Sequence, residues 1–407
     1  MEQKPAWQLP GRKEIVTERE RILTSIRGYV PDRLPWVPRL EFWYRARRRN
    51  GTLPAEVASL TLPEIIARLG VGYYANVPDF TCCPTEVPNP DRTIGIFNAA
   101  SIPYEIELDS VDRRITSNAH QTVVEYHTPV GSIRTAVVLT EEMLDAGTSQ
   151  PWLSEKAIRE PRDFDVVGYI FSHLKVKPRT RGYEVMRETV GERGIAVAFA
   201  QAAASPVHLI MKDLMTEEQF FYAMADYPEK IRTLADQIEP FFRSVQDIAA
   251  STSAEVVFLG GNYDDSITHP AFFRQYILPA LRQYSDALHL RGKFLMTHTD
   301  GENRLLLRPY LEAGFDVADS VCPAPMTRCS LDQILEAFEG RITLWGGIPS
   351  ILLIPDVCSQ RDFRDFVDGL IARHGLRPRF ILGVSDMVTA DADWERLRYI
   401  TEKIASL

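Results

Sequence analysis

The sequence predicts an α/β fold, a (β/α)8 TIM-type barrel with an antiparallel β-hairpin insertion near the N-terminal third of the chain. The main observation is a series of apolar, strand-length runs separated by stretches in which apolar residues recur at helical spacing. These runs are GIAVAFAQ (194–201), EVVFLGGN (255–262), GKFLMTHTDG (292–301), VADSVCPAP (317–325), RITLWGGI (341–348) and RFILGVSDM (379–387). Buried strands separated by helices indicate a parallel sheet, and the number of repeats favours a closed barrel.

A second observation is a β-rich region between about residues 93 and 140. Short β-forming runs alternate there with turn residues, notably at 109–113 and 129–131, which is typical of hairpins and not of a βα repeat. We therefore expect an antiparallel insertion that forms a flap over the barrel mouth. The length of 407 residues suits a single barrel domain, 1–407, that carries such an insertion.

The N-terminal elements follow in order. A first helix begins after the capping residue Thr17, which acidic residues follow, and ends at Gly28. The run LPWVPRLEF then predicts a short buried strand that begins near Trp36. A second helix is predicted from about residue 62 to residue 69, and Gly70 ends it.

Composition excludes several classes of protein. A net charge of -9 without a basic stripe argues against a nucleic-acid partner, and the dense basic run at 45–49 is predicted to be a solvated turn or helix end. Five cysteines in so long a chain do not form a disulfide framework. The N-terminus has no apolar signal core, and no stretch approaches the roughly 18 apolar residues of a membrane span. We expect a soluble, cytoplasmic protein.

Catalytic groups of such barrels lie where the strands end. The polar residues at the predicted strand ends are Arg39, Glu41, Gln201, Asn262, Tyr263, Asp264, Asp265, His298, Thr299, Asp300, Cys322, Ser385 and Asp386. Residues at i and i+2 of an extended segment face the same side, so His298 and Asp300 are positioned to act on one ligand. A histidine there serves as metal ligand, proton donor or substrate anchor. The alternative is a loop histidine, with Asp300 capping the next helix.

Two further groups have two interpretations each, and a third is a poor candidate. Asp264 and Asp265 are adjacent carboxylates that would bind a cation or exchange a proton, or would cap the helix that follows. Cys322 as a thiolate would suit zinc beside an imidazole, and otherwise it is a buried inert thiol. Cys82 and Cys83 are adjacent, which is poor spacing for chelating one metal ion together.

Several segments, in order, resemble members of the uroporphyrinogen decarboxylase superfamily. These segments are TERERILTSIRGYVPDRLPWVPR, FFYAMADYPEKIRTLADQI, ITHPAFFRQYILPALRQYSDALHLRGKFLMTHTDG, LEAGFDVADSV and FEGRITLWGGIPS, and the resemblance is most specific over 262–301. In the decarboxylases themselves an arginine-rich motif of the type RQAGRY grips the porphyrin carboxylates. This chain has PRLEFWYRARR there, with only Arg39 in the predicted strand and Glu41 nearby. Because an acid would repel an octacarboxylate, porphyrinogen decarboxylation is disfavoured.

The chain more closely resembles the corrinoid-dependent methyltransferases of the superfamily. These enzymes move a methyl group between a small substrate and cobalt on a partner protein, and some bind zinc through His-x-Cys and a distant cysteine. Here Asp300 replaces the cysteine after His298, and Ser385 or Asp386 replaces the distant one. This departure favours members that demethylate methoxylated aromatics or other methyl ethers, and the hairpin segment VEYHTPVGSI is similar to theirs.

The resemblance implies an O-demethylase-type methyltransferase acting on a small methoxylated substrate and a corrinoid (cobalamin) carried by a partner protein, with zinc as the candidate metal. The implied catalytic residues are His298, Asp300 and Asp264. The implied metal ligands are His298, Asp300 and Cys322. The implied substrate-binding residues are Arg39, Glu41, Tyr44, Asn262, Tyr263 and Asp386. Two alternatives stay open: a decarboxylase or lyase of a small carboxylic acid, which Arg39 supports, and a non-catalytic ligand-binding barrel. A homodimer is one option for the assembly.

Overall fold

A computed structural model describes residues 16–76, 89–148 and 151–407 of the chain. Cys82 and Cys83, considered above as metal ligands, lie outside the described residues. Among the residues that the structure does describe, none of the helices combines the length and the apolar character needed to cross a membrane.

The strands are short, and those of the second half fall within the runs predicted from the sequence. Their bounds are Tyr73–Ala75 (β1), Tyr104–Leu108 (β2), Asp112–Ser117 (β3), Gln121–Thr128 (β4), Gly131–Val138 (β5), Trp152–Glu155 (β6), Leu174–Pro178 (β7), Gly194–Ala196 (β8), Ala198–Gln201 (β9), Val256–Gly261 (β10), Phe294–His298 (β11), Val317–Val321 (β12), Thr343–Ile348 (β13) and Phe380–Val384 (β14). Every strand predicted between residues 194 and 387 is therefore confirmed.

Helices lie between the strands of the second half of the chain, and further helices lie in the first half. Their bounds are Glu18–Ile26 (α1), Glu41–Arg49 (α2), Leu62–Leu69 (α3), Glu141–Asp145 (α4), Asp163–Ser172 (α5), Arg181–Val190 (α6), Pro206–Leu209 (α7), Glu217–Asp226 (α8), Pro228–Ser251 (α9), Pro270–Phe272 (α10), Leu278–His289 (α11), Leu307–Ala313 (α12), Leu331–Ala337 (α13), Gln360–His374 (α14) and Trp394–Ala405 (α15). Single turns of 3-10 helix lie at Pro90–Ile94, Gly191–Arg193 and Ser350–Leu353, and π-helical turns at Ile210–Leu214 and Phe273–Ile277. As predicted, Thr17 caps α1 through a capping box, and Gly70 ends α3 in the left-handed conformation.

A parallel sheet forms the centre of the fold. Strands β9 to β14 pair in chain order into six parallel strands, and β1 pairs in parallel with β8. The strand residues are buried almost throughout, because helices cover the sheet. This pattern explains why the strands read in the sequence as continuous apolar runs and not as alternating ones.

The segment just before α2 connects the two edges of these parallel strands. The Val37 amide donates a hydrogen bond to the Leu382 carbonyl in β14 at 2.9 Å, and the Gly72 amide donates to the Trp36 carbonyl at 2.8 Å. A single parallel bridge joins Trp36 to Leu382. These bonds make the parallel sheet consistent with a TIM-type barrel, in which an extended segment takes the place of the first strand.

The predicted first strand is shorter than expected. LPWVPRLEF was predicted to form a short buried strand beginning near Trp36, but only a single bridge forms at Trp36, and Glu41 begins α2. Trp36, Val37 and Leu40 are all buried, which explains why the segment appears strand-like in its apolar content. Three arginines, 47–49, occupy the last turn of the helix, where its dipole favours cations. The interpretation of the basic run as a helix end is therefore confirmed.

The antiparallel region is present and extends beyond its predicted end near residue 140. Strands β3 to β6 form an antiparallel sheet in chain order, and β2 pairs with β7. Helix α5 packs on β5, and the buried Tyr126 of β4 lies with its hydroxyl 2.9 Å from the Thr93 hydroxyl. The pairing of β2 with β7 could not be predicted from the sequence pattern, because the two strands are far apart along the chain. The flap over the barrel mouth stays a prediction.

Candidate active site

The C-terminal ends of β11 and β12 hold a histidine–aspartate pair. His298 is the last residue of β11, and its Cα pairs in register with that of Asp319 in β12. Cα partners in neighbouring parallel strands direct their side chains to the same face of the sheet. The His298 Nδ1–H accordingly donates to Asp319 Oδ2 at 2.9 Å. The strand register thus fixes the orientation of the imidazole ring.

The other ring nitrogen faces two more carboxylates. His298 Nε2 lies 3.5 Å from Asp300 Oδ1 and 3.5 Å from Asp386 Oδ1. Asn262, which follows β10, donates from Nδ2 to Asp300 Oδ2 at 3.2 Å. The structure therefore brings together four residues that were predicted to form the site. Asn262 and Asp386 both have φ near +60°, a conformation that asparagine and aspartate tolerate better than most residues.

These carboxylates keep His298 protonated. Burial acts to lower the pKa of His298, but the charges and hydrogen bonds of Asp300 and Asp319 outweigh it and raise the pKa well above its usual value. Burial acts to raise the pKa of Asp300, but His298 and Lys212 outweigh it and the pKa is lowered. The protonated imidazolium form of His298 is thus favoured, and its Nε2–H is the proton available for chemistry.

Arg39, which follows the extended segment at Trp36 and Val37, supports the histidine–aspartate pair at the C-terminal ends of the strands. Its Nη1 lies 3.6 Å from Asp319 Oδ2 and donates to Ser320 Oγ at 3.2 Å and to the Asp386 carbonyl at 3.3 Å. Arg39 is 5% exposed and Asp319 is 1% exposed. Arg39 therefore forms an internal ion pair with Asp319, in addition to its predicted role toward a substrate anion.

Glu41 is a buried carboxyl beside this ion pair. It is 3% exposed, and its Oε2 has no hydrogen-bond partner among the described residues. Burial is the main cause that raises the pKa of Glu41 to about 7; the negative charge of Asp319 adds to it, and Arg39 opposes it. The predicted substrate-binding role of Glu41 stays a prediction, but the group titrates near neutral pH.

We expect Glu41 to make stability depend on pH. A carboxyl whose pKa rises from 4.5 to about 7 on folding costs stability as the pH rises between these values, by roughly 3 kcal/mol at most. Glu41→Gln removes this titration while keeping the size of the side chain. Urea unfolding of both proteins at pH 5 and pH 8 should show the natural chain losing stability relative to the variant. Equal pH dependence of the two would contradict the buried-carboxyl assignment.

Two residues predicted to act on substrate have structural roles. Tyr263 is fully buried, with its hydroxyl 2.9 Å from Thr297 Oγ1 and its ring packed against Phe273. Asp264 accepts hydrogen bonds from the Ser266 amide at 2.9 Å and from the amide of residue 302 at 3.3 Å. Core packing and turn formation use these side chains, and the roles of Tyr263 as a substrate ligand and Asp264 as a catalytic group stay predictions.

Two other candidates, Tyr44 and Asp265, make their contacts with residues outside the His298 cluster. The Tyr44 hydroxyl donates to the Leu60 carbonyl at 3.5 Å, and the Tyr44 ring lies under the guanidinium of Arg48. Asp265 accepts a hydrogen bond from the Leu305 amide at 2.9 Å. Tyr44 was predicted at the end of a strand, and its position on α2 explains the difference.

The predicted metal ligands do not form one site. Within the described ranges, no three or more histidine, cysteine, aspartate or glutamate side chains are arranged to hold a metal ion. Burial raises the pKa of the Cys322 thiol to about 11, so Cys322 is a neutral thiol and not the thiolate that zinc binds. The Nδ1 of His298 is committed to Asp319. The set His298, Asp300 and Cys322 is therefore corrected, and its donors do not fit a zinc–thiolate centre.

Sequence reasoning missed two residues of the site. Asp319 was missed because it lies inside β12 and not at its end, although an acid within the run VADSV was a visible signal. Lys212 was missed because it lies on a π-helical turn after β9, away from every predicted strand end. Its Nζ donates to Asn262 Oδ1 at 3.2 Å and so joins the polar cluster.

A parallel α/β sheet with a buried histidine–carboxylate cluster at the C-terminal ends of its strands is the arrangement of an enzyme active site. Residues 143–407 match the family described as uroporphyrinogen decarboxylase (URO-D), and the chain belongs to that family. Among solved structures, it is similar to a methyltransferase from Methanosarcina mazei, with a TM-score of 0.56 and 14% sequence identity over 96% of this chain and 98% of that chain. At that identity the likeness concerns the fold. No curated protein matches the sequence.

Proposed function

We propose that this protein transfers a methyl group from a small methyl ether to the cobalt of a corrinoid carried by a partner protein, on a closed (β/α)8 barrel. The observation that carries the proposal is the position of His298, whose Nδ1 lies 2.9 Å from Asp319 Oδ2 and whose Nε2 lies 3.5 Å from Asp300 Oδ1. These carboxylates raise the pKa of His298 and so favour its protonated form. Membership of the family and the fold shared with a methyltransferase support the reaction class.

The proposed chemistry needs a proton at the leaving oxygen. When the bond between methyl carbon and ether oxygen breaks, its electron pair stays on the oxygen, and an alkoxide or phenolate is a poor leaving group. His298 donates its Nε2 proton to that oxygen, so that an alcohol or phenol leaves. The reduced corrinoid of the partner supplies the electron pair that takes the methyl carbon.

The remaining residues of the cluster position this donor. Asp319 accepts a hydrogen bond from Nδ1–H and therefore orients Nε2–H, and Arg39 Nη1 pairs with Asp319 Oδ2 at 3.6 Å. Asn262 fixes the second carboxylate by donating to Asp300 Oδ2. Because the groups are held by strand register and buried contacts, the donor needs little reorganisation when the oxygen arrives.

A cobalt-methylation assay tests the reaction. Purified protein is mixed with a reduced corrinoid protein, or with free reduced cobalamin, and a panel of methoxylated aromatic and aliphatic compounds, and the corrinoid absorbance is followed. We expect at least one donor to convert the reduced cobalt to its methylated form, with a rate proportional to enzyme concentration. No conversion by any donor, with reduced cobalt demonstrated in every sample, would reject the proposed function. Metal content is measured on the same protein.

A decarboxylase of a small carboxylic acid is the second candidate. The observation that favours it is the pair of cations at the cluster, Arg39 and Lys212, which would bind a carboxylate. Release of carbon dioxide from a panel of small acids, measured in parallel with the cobalt assay, distinguishes the two reactions. Activity in neither assay would favour the ligand-binding barrel.

A further inference from the structure

We infer that Lys212 forms an anion-binding subsite of the candidate active site, and that the methyl donor is therefore an ether that also carries a carboxylate. The inference deepens the proposed function and rests on it for the reaction. The binding of an anion at Lys212 can be measured without any methyl transfer.

The position of Lys212 places its ammonium group at the ends of two neighbouring strands. Its Nζ donates to the Ala202 carbonyl at 3.2 Å and to Asn262 Oδ1 at 3.2 Å. Ala202 directly follows β9, and Asn262 directly follows β10. Lys212 reaches both from the π-helical turn Ile210–Leu214, and the wider π turn is a feature often found at functional sites.

A short chain of contacts connects Lys212 to the proton donor. The Asn262 Oδ1 accepts a hydrogen bond from Lys212 Nζ, and the Asn262 Nδ2 donates one to Asp300 Oδ2 at 3.2 Å. Asp300 in turn lies 3.5 Å from His298 Nε2. A methyl donor with its anion at Lys212 and its ether oxygen at His298 would therefore have to span the side chains of Asn262 and Asp300. The subsite lies on the same side of the barrel as the reaction that we propose.

Among the described residues no carboxylate oxygen lies at ion-pair distance from Lys212 Nζ, although the charges of Asp213 and Asp300 act on it. The adjacent Asp213 is engaged by Arg92, with Nη1 at 2.9 Å from Oδ1. Lys156 also approaches this segment, because its Nζ donates to the Lys212 carbonyl at 2.7 Å. Arg92, Lys156 and Lys212 thus gather around the buried Asp213 carboxylate, and His298 and Asn262 engage Asp300. Because these carboxylates contact other partners, the ammonium group of Lys212 keeps an N–H donor that an anionic ligand could accept from.

The protons of the ammonium group indicate what kind of anion fits. Two of its three N–H donors go to the Ala202 carbonyl and to Asn262, which leaves one donor for a ligand oxygen. One charge-assisted hydrogen bond suits a carboxylate. Burial acts most strongly on the pKa of Lys212 and lowers it, and a bound carboxylate would raise the pKa again.

Calorimetric titration with matched pairs of ligands tests the subsite. The probes are 4-methoxybenzoate against 4-methoxybenzamide and methoxyacetate against methoxyacetamide, since each amide keeps the shape of its acid without the charge. We expect the natural protein to bind at least one acid about tenfold more tightly than its amide. Lys212→Gln should remove that preference and leave the amide affinity within about twofold, and Lys212→Arg should restore part of the preference.

The control variant is Lys177→Gln, in which an exposed lysine that pairs with Glu107 on the antiparallel strands is replaced. It should bind every probe like the natural protein. The subsite would be overturned if no carboxylate binds, or if the preference for the acid persists in Lys212→Gln. A carboxylate preference that depends on Lys212, found together with a failed cobalt assay, would reject the reaction and keep the subsite. Methyl transfer from neutral ethers alone would keep the reaction and overturn the subsite.

Discussion

Replacing His298 with alanine is expected to lower the rate of methyl transfer by about 10²–10⁴-fold, because the leaving oxygen loses its proton donor. The side chain is held by Asp319 at 2.9 Å and is only 13% exposed, so no water takes its place in the same orientation. The variant should keep its helical content and unfold cooperatively, since the ring contributes to polar contacts and not to the apolar core. Steady-state rates and circular dichroism measure the two effects.

The identity of the leaving group gives this prediction its sharpest test. Methoxybenzenes with electron-withdrawing substituents release more stable phenolates, which need a proton less. The rate loss in His298→Ala should therefore shrink as the leaving phenol becomes more acidic. His289→Ala is the matched control, because His289 pairs with Asp316 at 2.9 Å just before the start of β12. A loss in His298→Ala that is the same for every donor would contradict the proton-donor role.

The strands that build the site could be predicted because each is buried on both faces. Burial makes the runs between residues 194 and 387 continuously apolar, and a polar residue then marks the position where each run ends. His298, Asp300, Asn262 and Asp386 were found in this way, and the structure brings all four together. The parallel sheet and the cluster at the strand ends could thus both be predicted from the local sequence pattern alone.

Other parts of the site depend on information that no local pattern contains. Glu41 was placed on a strand because apolar content cannot distinguish the buried face of α2 from a short buried strand. Lys212 reaches the cluster only because a π-helical turn returns the chain toward the end of β10. Asp264 follows a strand end, as a catalytic residue would, but the adjacent amides use its oxygens. For all three residues, contacts between distant parts of the chain determine where the side chain lies, and these contacts have no signal in the local sequence.

Asp319→Asn is expected to lower the rate of methyl transfer by about 10²-fold and to move the pH profile to lower pH. The carboxylate raises the pKa of His298 by its charge and its hydrogen bond, so its neutral isostere leaves a less basic imidazole. Because the protonated ring is the active form, activity falls as the pH rises through the pKa of His298. In the variant this fall should begin at lower pH. Initial rates from pH 5 to pH 9 measure both effects.

Two comparisons separate this effect from a general loss of stability. Asp319→Asn removes the carboxylate charge that lies 3.6 Å from the buried Arg39, so some loss of stability accompanies the kinetic effect. Asp316→Asn removes a comparable partner, because Asp316 accepts from His289 just before the same strand. That variant should lose stability while it keeps both the rate and the pH profile. If Asp319→Asn loses activity but its pH profile stays in place, Asp319 supports the fold of the site and does not set the protonation of His298.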